Sequence, residues 1–99
     1  MRTHKGEPVS PVDLRRARQH VAQWRRENAK AIRLCGDYAS HVSESEKDST
    51  LQYSLGYADE IESGQHDNNF SVWQRMNTFL TGECIGFLPP PNQGTDDAV

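Results

Sequence analysis

From Leu14 onward the apolar residues recur at alternating steps of three and four: Leu14, Ala17, Val21, Trp24, then polar Asn28, then Ala31, Cys35, Tyr38 and Val42. Steps averaging 3.5 place these side chains on one helical stripe of the coiled-coil type, in which a lone Asn fixes register or partner number at some cost in stability. Ile32 and Leu34 widen the stripe, as a helix with two neighbours requires. The helix start is well marked. Ser10 suits the N-cap, Pro11 suits the first helical position because its missing N–H would have had no partner there, and Asp13 extends this into a capping-box-like pattern. The end depends on Gly36, which costs about 1 kcal/mol inside a helix and otherwise stops it. An unbroken helix to Val42 would be a rod of about 32 residues.

Residues 43–50 contain no apolar side chain and read as a polar turn running into a second helix, whose buried face is marked by Leu51, Leu55, Ala58 and Ile61. Gly64 is the expected stop, because glycine takes the left-handed conformation at low cost. Asp67, Asn68 and Asn69 each offer a cap for a third helix, which carries Val72, Trp73, Met76, Phe79 and Leu80 on one broad face and stops at Gly82. Beyond it, Cys84, Ile85, Phe87 and Leu88 are too few and too interrupted by Gly86 for a regular element, and are expected as an extended strap. Pro89, Pro90 and Pro91 exclude a continuing helix.

The fold class is therefore all-α: a small three-helix bundle in which one long N-terminal helix packs antiparallel against two shorter ones. A flexible arm over residues 1–9 precedes a single domain over 10–88, and a disordered, Pro-rich, acidic tail occupies 89–99. A homodimer through the long seam and a hairpin that swaps its third helix onto a partner are the alternative arrangements.

Composition limits what this fold can do. Only 34% of the chain is apolar and the mean hydropathy is −0.84, so the core is modest and stability marginal. No apolar stretch reaches signal-peptide or membrane-span length, and the protein is expected to be cytoplasmic, with no membrane partner. Cys35 and Cys84 show no C-x-x-C spacing and are expected to be buried, reduced thiols.

Charge is divided unevenly. Residues 1–35 hold nine Lys and Arg against three acids, for +6, whereas residues 36–99 hold two against eleven, for −9. On the first helix a 100° projection groups Arg15, Gln19, Arg26, Lys30 and Arg33 opposite the apolar stripe, with Arg18 and Arg25 on one flank. From Arg15 to Arg33 this ridge would run about 27 Å, enough to follow several phosphates or an acidic protein groove. It reads equally as a solvated face balancing the acidic second helix. Trp24 and Trp73 fall on expected buried faces. Tyr53 and Tyr57 lean toward the surface, and with Glu60 they form a candidate contact patch of the amphipathic kind enriched at interfaces.

Reaction chemistry is absent from the pattern. His4, His20, His41 and His66 lack metal-ligand spacing, Cys84 lacks a nucleophile signature toward His66 or His41, and no phosphate-binding or nucleophile-elbow motif is present. The chain is read as a non-enzyme without metal or cofactor. Its expected role is a small non-catalytic protein-binding regulator or inhibitor that occupies a partner protein's surface. Arg15, Arg26, Lys30, Arg33, Tyr53, Tyr57 and Glu60 are the candidate partner-binding residues. The alternatives are a nucleic-acid-binding accessory protein using the basic ridge, and a structural subunit of a larger assembly.

Overall fold

The structure is a computed structural model describing residues 1–35 and 41–83. The sequence expectations for Gly36, Tyr38, the strap from Cys84 to Leu88 and the tail over 89–99 lie outside the described residues. Three helices are delimited among the described residues: α1 (Pro11–Arg33), α2 (Glu44–Glu62) and α3 (Phe70–Thr81). None is long and apolar enough to cross a membrane.

Local chemistry sets the helix boundaries. The Asp13 backbone N–H donates to Ser10 Oγ at 3.2 Å, and Pro11 occupies the first turn of α1. Ser43 caps α2 in the same way by accepting from the Glu46 N–H, so α2 begins within the polar segment. Of the three candidate caps for α3, Asn69 is used, its Oδ1 accepting from the Val72 N–H. Gly64, at φ +88°, closes α2: its N–H reaches the Ile61 carbonyl and the Gln65 N–H reaches the Glu60 carbonyl, the paired bonds of a Schellman motif.

α1 is the spine. Both α2 and α3 pack against it while scarcely touching each other. The pairing residues give the direction: Arg33 meets Glu44 and Asp48, Arg26 meets Asp59 and Glu62, and Arg18 meets Asp67, so α2 runs antiparallel to α1. α3 is antiparallel too, with Arg75 beside Trp24 and Phe79 beside His20 and Arg16. Ala17, Val21 and Ala22 of α1, Ala58 and Ile61 of α2, and Val72 and Met76 of α3 make the core, flanked by Leu14, Tyr57 and Leu80. The alanines allow close helix approach.

Three sequence readings are settled or corrected here. First, the end of the first helix, which the sequence left open at Gly36, falls before it: α1 is 23 residues long and ends at Arg33, with Leu34 as C-cap. Second, the apolar stripe is buried only over its first half. α3 has 12 residues and covers α1 as far as Trp24. Trp24 is 37% exposed, and Asn28, Ala31, Ile32, Leu34 and Cys35 all face out, so Cys35 is an exposed thiol instead of a buried one. α2 takes the adjacent flank, where Ala22 and Ala29 are buried.

Third, residues 1–9 are not a free arm. They fold into a closed turn, with the Thr3 and Gly6 N–H groups donating to the Glu7 and Thr3 carbonyls and the Val9 N–H to the Met1 carbonyl. The turn docks on α3. Trp73 is fully buried, and its indole N–H donates to the Arg2 carbonyl at 2.9 Å. The His4 N–H donates to Asn77 Oδ1 at 2.9 Å, and Thr3 is buried. A buried indole needs an acceptor, and this turn supplies it.

Candidate functional site

The basic ridge of α1 is largely spent within the fold. Arg33 Nη2 reaches Glu44 at 3.1 Å and Asp48 at 2.6 Å; Arg26 reaches Asp59 at 2.8 Å and Glu62 at 3.1 Å; Arg18 makes a two-pronged contact with Asp67. The hydrogen bonds to Asp67 and Asp59 hold the Arg18 and Arg26 guanidinium pKa values above the ordinary arginine value. Arg25 is half-buried over the Tyr57 ring, 4.2 Å from its centre. Residues 18, 25, 26 and 33 thus lie on the side of α1 that receives α2 and the following loop. Arg15 and Lys30 remain exposed, without an ion pair among the described residues.

α2 explains this arrangement. Asp59, Glu60 and Glu62 lie in its last turn, which has no basic residue, so three carboxylates sit at the negative end of the helix dipole. Arg26 offsets two of them, and His66 Nε2 lies 2.8 Å from Glu60. At the other end Glu44 is held below the ordinary glutamate range by hydrogen bonds from Lys47 and Arg33.

The expected Tyr53, Tyr57 and Glu60 patch does not come together. Tyr53 is 70% exposed. Tyr57 is half-buried, with the His66 ring stacked 4.2 Å away and Arg25 on it, while Glu60 is engaged by His66.

A different surface gathers instead in the groove between α1 and α3. Trp24, Val21 and His20 line one wall, and Arg75, Thr78 and Phe79 line the other, around a cavity of about 330 Å³. The Arg75 guanidinium carbon lies 3.5 Å from the centre of the Trp24 ring. His20 stacks on Phe79 with ring centres 4.4 Å apart, and Arg16 approaches the same ring at 6.0 Å. Trp24 and Phe79 are each 37% exposed, and no carboxylate lines the groove among the described residues.

The sequence reading missed this site because it placed both Trp24 and Phe79 in the core. Arg75, the lone cation of α3, was the available signal. The arrangement suits binding: aromatic surface for contact area and fixed cations for orientation. No protein-family model, curated protein or solved structure matches the chain, so its functional reading rests on this geometry.

Proposed function

We propose that the protein is a small non-catalytic regulator or inhibitor that occupies a partner protein's surface, and that the groove around Trp24 is its contact site. The observation that carries this reading is the clustering of Trp24, Phe79 and Arg75, half-exposed or exposed, along one groove. Trp and Arg are the residue types that dominate binding energy at protein interfaces when seated in such pockets. The nucleic-acid alternative loses support, because Arg18, Arg26 and Arg33 are already matched with carboxylates.

The test is affinity capture with the intact protein and its Trp24→Ala variant, with helicity checked by circular dichroism. A protein held by the parent and released by the variant at equal helicity supports the reading. Identical capture by both forms, or none at any salt concentration, rejects it.

The exposed second half of the α1 stripe favours one further reading, a subunit joined through Trp24, Asn28, Ala31 and Cys35. In that case the protein sediments as an oligomer, and Asn28→Leu stabilises it while loosening its stoichiometry. A monomeric parent at high concentration rejects it.

A further inference from the structure

The chemistry of the groove narrows what it takes. Arg18, Arg26 and Arg33 each meet one or two carboxylates of their own chain. Arg75 meets none among the described residues and lies on an indole instead. Stacking on Trp24 fixes the guanidinium plane and leaves its edge N–H donors free, a fork that matches a carboxylate. Much of the entropy cost of ordering a long side chain is thereby met before a partner arrives. One helical turn along, Phe79 faces Val21 across the cavity and supplies apolar wall. Arg16, which also lies 3.7 Å from Asp13, and the His20 ring flank Phe79 at the rim.

Two kinds of anionic partner suit an aromatic and cationic groove: an acidic peptide and a single-stranded nucleic acid. The latter binds by stacking bases on aromatic faces. Here Arg75 covers a face of Trp24 and His20 covers a face of Phe79. A base would have to displace them, whereas a carboxylate approaches Arg75 from its free edge and leaves the stack intact.

We infer that the groove receives an acidic segment of a partner protein, with one Asp or Glu side chain forked by Arg75 and an apolar side chain nearby in the segment lodged between Val21 and Phe79. This rests on the protein-binding role proposed above and adds the partner's chemistry to it.

The experiment is selection of short random peptides displayed on phage against the full chain, followed by titration of the synthetic consensus peptide. The expected consensus pairs an acid with an aromatic or aliphatic residue. Its binding should change the emission of half-exposed Trp24, weaken roughly tenfold or more in Arg75→Ala, as befits loss of a charged hydrogen bond, and stay weak in Arg75→Lys, which cannot fork. Circular dichroism checks that these variants fold. A neutral or basic consensus that still depends on Trp24 overturns the acidic-segment inference and keeps the groove as a protein-binding site. No consensus, or one indifferent to Trp24, overturns both. An oligothymidylate that binds the parent and is lost in Arg75→Ala overturns both in favour of nucleic acid.

Discussion

The Arg18 guanidinium occupies the space that a side chain at Gly64 would need: a Cβ built there would lie 2.7 Å from Arg18 Cζ. Gly64 is also at φ +88°, where an L residue is strained. These two facts join the end of α2 to the middle of α1, because the same guanidinium is held on the far side by Asp67. Gly64→Ala therefore adds the cost of displacing Arg18 from Asp67 to the backbone strain of about 1 to 2 kcal/mol. Chemical unfolding should show the larger loss. Arg18→Ala in the Gly64→Ala background should cost less than the two single changes together, because the clash is gone. Strict additivity would show that the two residues do not interact.

Arg26 faces a carboxylate pair at a helix end that has no other basic residue. Removing it leaves Asp59 and Glu62 beside the negative end of the dipole, so Arg26→Ala should destabilise by about 1 kcal/mol, at the upper end for a partly exposed pair. Lys30→Ala, without an ion pair, should be near neutral. The difference should shrink at 1 M salt, where the screening length falls to about 3 Å. A salt-independent difference would mean that the Arg26 stem matters through packing instead.

Asn77 is fully buried and ties the N-terminal turn to α3. Its orientation is fixed, because the His4 backbone N–H can only donate, so the atom it meets must be Oδ1. Nδ2 is then buried without an acceptor among the described residues. Asn77→Ala removes that orphan but strands the His4 N–H, and the net loss should be about 1 to 3 kcal/mol. The expected signature is local: faster hydrogen exchange over residues 1–9 and a red shift of Trp73 emission as the turn lifts away. Unprotected amides over 1–9 in the parent protein would contradict the docked turn.

The parts of this fold legible in the sequence are those governed by neighbours along the chain. Ser10, Asn69, Gly64 and Gly82 mark helix ends because capping is decided within four or five residues. Periodicity found the stripe of α1 but not how far α3 would cover it, since a repeat says which face is apolar and nothing about the partner's length. Trp24 and Cys35 were placed inside for that reason. The basic ridge was drawn by treating α1 as having one buried face. α2 instead packs on a second, where Ala22 and Ala29 sit among Arg18, Arg26 and Arg33 and small residues let long arginines run out to the acids. The groove unites Trp24 with Arg75, and the docked turn unites His4 with Asn77. No local rule connects residues so far apart.

Acid should release the N-terminal turn. Glu83 is held below the ordinary glutamate range, first by its hydrogen bond with His4 Nε2 at 2.7 Å and then by Lys5. The His4 ring also meets Asn77 Oδ1 through Nδ1 at 3.1 Å. A carboxylate whose folded pKa is depressed stabilises the fold above its unfolded value, and that contribution is lost as pH falls through the folded value. Glu44, lowered by Lys47 and Arg33, acts in the same direction at the other end of the molecule. Both groups are exposed to solvent, so each effect is small and salt-sensitive. The urea midpoint should hold down to about pH 5 and begin to fall below about pH 4. Glu83→Gln should flatten part of that slope and speed proteolysis within residues 1–9 at neutral pH, whereas Glu44→Gln should flatten the slope without touching the turn. Equal proteolysis in the two variants would show that Glu83 does not hold the turn.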